Sequence, residues 1–127
     1  AMSLNNLATF LSELGQRAEA LDPAREAVEL YRKLAAGQPA AFEPDLANSL
    51  DTLAEMLGGV EDYSGGIAAS EESIRLLGPY FLGQPAAFRE WMDVFLKRYR
   101  DLCARAGQPV DHALIDPLQA KLDELEG

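Results

Sequence analysis

At 127 residues, 48% of them apolar, the chain fits one compact unit that can bury a core without disulfides or a metal. Its formal net charge of -10 comes from acids spread along the whole length, which repels phosphate backbones and anionic lipid and leaves nucleic acid and membrane as poor partners. Cys103 and His112 are the single cysteine and the single histidine, so neither a disulfide framework nor a clustered soft-metal site can form within one chain, and a reducing, cytoplasmic setting is the simplest expectation.

The first element is an amphipathic helix, with Leu4, Leu7, Ala8 and Leu11 at i, i+3, i+4 and i+7. Gly15-Gln16 breaks it, and a second helix carries Leu21, Ala24, Ala27, Val28, Tyr31 and Leu34. Pro23 either kinks this helix or starts it with Asp22 as N-cap; the kink is the preferred reading. Gly37-Gln38-Pro39-Ala40-Ala41-Phe42 closes the unit. Gly37 is expected to turn left-handed, and Pro39 prevents the helix from continuing.

The same six letters return at 83–88, 46 positions after the first copy at 37–42, and the apolar pattern keeps that offset. Leu50, Leu53, Ala54 and Leu57 repeat the first stripe. A turn at Gly58-Gly59 and Glu61-Asp62 leads to a helix with Ile67, Ser70, Ser73, Ile74 and Leu77. Small residues recur where helix axes must approach: Ala8, Ala20, Ala24 and Ala27 in one copy, Ala54, Gly66, Ser70 and Ser73 in the other. Gly78-Pro79 is expected to interrupt this helix early, leaving 80–82 as a short extra turn. Gly83 is expected to repeat the left-handed stop, with Phe42 and Phe88 anchoring the joints.

A long helix is predicted from Pro85 to Ala106, with Met92, Leu96, Tyr99, Cys103 and Ala106 on its stripe. Arg100 stands where the earlier copies have alanine, as expected near the end of an array. After Gly107-Gln108-Pro109 a last helix presents Leu114, Ile115, Leu118, Leu122 and Leu125 on one face and Gln119, Lys121, Asp123, Glu124 and Glu126 on the other, the pattern of a solvated cap. The expectation is an all-α chain of three units: repeat one over 1–43, repeat two over 44–84, and a degenerate third hairpin with its cap over 85–127. No apolar run approaches the ~20 residues needed to cross a bilayer.

The order Leu4, Leu7-Ala8, Leu11, Gly15, Ala20-Leu21 and Ala27 resembles the tetratricopeptide repeat. The long period and the run Ser3-Leu4-Asn5-Asn6-Leu7-Ala8 look like the extended variety found in kinesin light chains and in large bacterial signalling ATPases. Gly65-Gly66 departs from the Glu-Ala pair at 19–20, and Arg100 breaks the third copy. The resemblance implies a right-handed superhelix of about three antiparallel hairpins with a C-terminal capping helix. It implies a concave groove for a peptide or protein segment, no enzymatic activity and no cofactor. By family position, the groove would be lined by Asn5, Asn6, Thr9, Ser12, Glu13, Asp51, Thr52, Glu55, Lys97, Arg98, Asp101 and Arg105. Those positions also lie opposite the leucine stripes, which leaves them available once the leucines are buried.

Asn5 and Asn6 offer both donors and acceptors to an extended backbone, or are simply polar residues on a wet face; Asp51 and Thr52 replace them in the second copy, so no asparagine ladder continues. Lys97, Arg98 and Arg105 form a basic stripe flanked by Asp93 and Asp101. It either receives an acidic segment or pairs with itself. The carboxylate clamp of some family members is rejected, because only Arg98 fits its residue set. Cys103 reads as a buried structural thiol, and His112 beside Asp111 and Asp116 as solvated polar residues rather than a metal or catalytic cluster. No phosphate-cradling glycine loop, nucleophile elbow or zinc spacing is present.

These features favour a protein-interaction scaffold. The first alternative is a self-association module: if Ala1 marks a cut through a longer array, Leu4, Leu7, Leu11 and Leu14 lack a neighbour and could pair with a second copy. A small all-α enzyme is the remote alternative, since no catalytic constellation supports it.

Overall fold

The computed structural model describes Leu7 and residues 17–126. Among the described residues there are five helices and no strand: α1 (Arg17–Gly37), α2 (Pro39–Gly59), α3 (Tyr63–Gly83), α4 (Pro85–Ala106) and α5 (His112–Glu126). None of these helices is long and apolar enough to cross a membrane. The rest of the first leucine stripe and the Gly15-Gln16 break lie outside the described residues.

The joints differ from expectation in their chemistry. Gly37 and Gly83 are helical, and the breaks fall one residue later, at Gln38 (φ -140°, ψ 76°) and Gln84 (φ -139°, ψ 69°). Proline is the cause. Its ring disfavours helical backbone in the residue before it, so Gln38 and Gln84 are driven extended while Pro39 and Pro85 start the next helix, where a missing N–H costs nothing. The glycine that does turn left-handed is Gly107 (φ 67°), which caps α4. Because α2 starts at Pro39, the 43/44 boundary falls inside that helix.

Pro23 lies inside α1, where the preferred reading put it, so Asp22 is not an N-cap. One further expectation needs correcting. Gly78-Pro79 does not interrupt α3, which runs on to Gly83. Phe81, fully buried, holds that last turn on the core, and Tyr80 ties it to α2 by donating its hydroxyl to Glu43 Oε1 at 2.7 Å.

Connections this short fold each helix back on its predecessor, and α1–α2, α2–α3, α3–α4 and α4–α5 pack as neighbours. Contacts also join α2 to α4 and α3 to α5, so each helix pair leans on the next. The stripes read from the sequence supply the core: Leu50, Ala54 and Leu57 from α2, Ile67, Ile74 and Leu77 from α3, Met92, Leu96 and Tyr99 from α4. Small residues set the spacing. A Cβ on Gly66 would stand 3.2 Å from the Ala54 carbonyl oxygen, and the buried Ser73 hydroxyl donates to the Ala47 carbonyl at 2.7 Å. Tyr80, Phe88, Trp91 and Phe95 make a chain of ring contacts, with centroids 6.1 to 6.4 Å apart, from the end of α3 along α4. At the far end, α5 buries Ile115, Leu118 and Leu122 against α3 and α4, as a cap should.

Candidate functional site

Asp51, Glu55, Arg98, Asp101 and Arg105, five of the side chains expected to line a groove, lie together where α4 crosses α2. Arg98 reaches from α4 to α2, with Nε 2.8 Å from Asp51 Oδ1 and Nη1 2.8 Å from Glu55 Oε2. One guanidinium thus fastens two repeats, and Asp51 is buried beneath it. This corrects the expectation that Asp51 stands free, because the helix one repeat on covers the face opposite the leucine stripe. Burial raises the Asp51 carboxyl, and Arg98 pulls against that rise. For Arg98, burial lowers the guanidinium, but Asp51 and Glu55 together outweigh it and hold the group above its ordinary value. A contact of 2.8 Å between a buried carboxylate and a half-buried guanidinium favours the charged pair.

The other cations of the stripe are paired within α4. Lys97 Nζ lies 2.8 Å from Asp93 and Arg105 Nε 3.0 Å from Asp101, each one turn apart. Lys97 and Arg105 are thus each matched by a carboxylate of their own helix. Thr52 donates its hydroxyl to the Asn48 carbonyl on its own helix. Asn5, Asn6, Thr9, Ser12 and Glu13 lie outside the described residues.

Between the two helices opens a cleft of about 280 Å³, lined by Glu55, Gly58 and Gly59 from α2 and by Arg98, Asp101, Leu102 and Arg105 from α4. Four of the expected residues meet in it: Glu55, Arg98, Asp101 and Arg105. Gly58, Gly59 and Leu102 were not anticipated as site residues. Gly58 keeps the cleft open: a Cβ there would come within 2.8 Å of Leu102 Cδ2.

Elsewhere, polar groups do structural work. Tyr99, fully buried, donates its hydroxyl to Glu71 Oε2 at 2.7 Å and accepts the Asp111 backbone N–H at 2.9 Å, pinning the α4–α5 connection to α3. Its phenol is raised strongly, first by burial. Cys103 is buried beside it, and desolvation pushes its thiol up, away from nucleophilic use. His112 sits 3.2 Å from Asp116 with both side chains exposed. Among the described residues no group of three or more His, Cys, Asp or Glu side chains could hold a metal ion.

Residues 1–36 match the family model described as Tetratricopeptide repeat. No curated protein and no solved structure matches the chain. Repeats of this family are helical, non-enzymatic scaffolds that generally mediate protein–protein interaction. Over residues 1–36 the chain is thus similar to the tetratricopeptide repeat, and the five described helices, each packed against the next, form an all-α helical-repeat fold.

Proposed function

We propose that this chain is a protein-interaction scaffold that holds a segment of a partner protein in the groove where α4 lies over α2. The repeat reading is part of this proposal: three hairpin units, divided at the Gln38 and Gln84 joints rather than at 43/44, stacked as a right-handed superhelix. The observation that carries it is the cleft beside Arg98, because the same guanidinium that fixes the two repeats also forms a wall of the open space. A groove fastened in this way is preformed, so the partner bears most of the ordering cost on binding. Asn5, Asn6, Thr9, Ser12 and Glu13 would continue its wall on the first repeat.

Capture experiments with the chain as bait test this reading. Lys97→Glu with Asp101→Lys, or Asn5→Ala with Asn6→Ala, should abolish partner capture while circular dichroism stays helical. Unchanged capture by both pairs would move the site elsewhere. Arg98 is left intact in these variants because its loss would disturb the fold itself.

Self-association is a second reading, favoured by one observation. Leu30 is 49% exposed on α1 within a shallow hollow formed with Arg25, Glu26, Glu29 and Lys33, charges of both signs that a second copy could match. Sedimentation that stays monomeric at high concentration would remove it.

A further inference from the structure

Leu30 on α1 is 49% exposed, and Leu34, one turn further on, 37% exposed. Glu26 and Lys33 flank Leu30 along the same helix, and both are exposed. The ion pairs of α1 are those of Arg32, with Glu29 and with Glu72 of α3; Glu26 and Lys33 enter none among the described residues. Two turns, about 10 Å of helix rise, separate Glu26 from Lys33, too far for them to pair with each other. Two charges of opposite sign thus stand unmatched on either side of an exposed leucine.

We infer that this face takes a second copy of the chain, α1 against α1 in antiparallel sense, crossing at Leu30; this gives the self-association reading above its geometry and rests on it. At roughly 100° per residue, Glu26 lies about 40° and Lys33 about 60° to the same side of Leu30, about 6 Å before and about 4.5 Å after it along the axis. A twofold axis perpendicular to both helices reverses direction along them and keeps the side. Glu26 of each copy is thereby set opposite Lys33 of the other, twice over, with Leu30 against Leu30 between them. A parallel crossing would instead face acid with acid and base with base. Copies of a chain with net charge -10 repel one another, and this face, with Arg25 and Lys33 against Glu26 and Glu29, is one where they approach without that cost. A single helix crossing buries less than the roughly 1,200 Å² of a standard interface, so the dimer is weak and forms at high concentration.

Sedimentation equilibrium of the full chain from about 10 μM to about 1 mM tests this, with Glu26→Lys, Lys33→Glu and the double exchange, each checked as folded by circular dichroism. The unaltered chain should dimerise reversibly within that range. Each single exchange puts two like-charge contacts where two opposite ones stood, and should weaken the dimer by about tenfold or more. The double exchange restores opposite contacts with their signs reversed, and should return the dimer to within about threefold of the unaltered chain. The single exchanges move net charge in opposite directions, so a response to total charge alone would strengthen the dimer of Glu26→Lys and weaken that of Lys33→Glu. That result would overturn the pairing. A double variant as weak as the singles, or singles as strong as the unaltered chain, would overturn the antiparallel crossing and leave self-association through another face standing. A chain that stays monomeric at every concentration would remove both.

Discussion

Arg98 on α4 and Asp51 on α2 meet at 2.8 Å, 47 positions apart in sequence and one more than the repeat offset, so a single ion pair ties a helix to its counterpart in the next repeat. Removing only the cation would strand a buried carboxylate. Arg98→Met should therefore destabilise the fold by about 3–5 kcal/mol in urea unfolding, and adding Asp51→Asn should recover much of that loss. Equal costs in the two backgrounds would mean that the pair is not coupled.

Acid stability should carry two opposite signatures. The Arg32 guanidinium grips Glu72 in a two-pronged hydrogen bond between α1 and α3, and chiefly through that bond it holds the Glu72 carboxyl below the ordinary value of 4.5. A lowered folded pKa contributes stability above the unfolded value that is lost as pH falls through the folded one. Asp51 runs the other way. Burial raises it above 3.8, so its contribution is present below that value and is lost as pH rises through the folded pKa. Carboxyl 13C titration should place Glu72 below and Asp51 above these reference values, and Glu72→Gln should flatten the loss of stability on acidification.

Tyr99→Phe removes a hydroxyl that serves two buried partners, Glu71 and the Asp111 N–H. The expected cost is about 1–2 kcal/mol, with faster amide exchange at Asp111 than elsewhere in the chain.

Glycine positions separate tight contact from free space. Gly66→Ala presses a methyl group against the Ala54 carbonyl at 3.2 Å, where backbone cannot give way, and should cost about 1–3 kcal/mol. Gly37→Ala and Gly83→Ala meet nothing within 4 Å and sit in helical backbone. They should gain up to about 1 kcal/mol in thermal or urea unfolding, whereas a left-handed stop at either place would make alanine a loss.

The helices and their stripes were legible because leucines at helical spacing announce a buried face whatever covers it: α4 runs from Pro85 to Ala106 as its pattern predicts, and α5 buries Ile115, Leu118 and Leu122. The joints misled because glycine is a common helix stop, while proline's effect on the preceding glutamine is the stronger local constraint here. Candidate groove residues were placed by family position and by lying opposite the leucine stripe, neither of which says what the next repeat lays over them. Asp51 was hidden for that reason. A signal did exist: an arginine one repeat and one residue beyond an aspartate, on helices that stack in register, marks a pair across the joint. Tyr99 and Glu71, 28 positions apart, follow no repeat spacing and left no such trace.

The central claim is that a partner lies in the groove between α2 and α4. A photo-crosslinking amino acid placed at Glu55, inside the cleft, tests it most directly against the same group at Arg75, in the separate hollow between α3 and α5. A partner protein recovered covalently from position 55 and not from position 75 is the predicted result. Crosslinks at 75 with none at 55 would contradict the account.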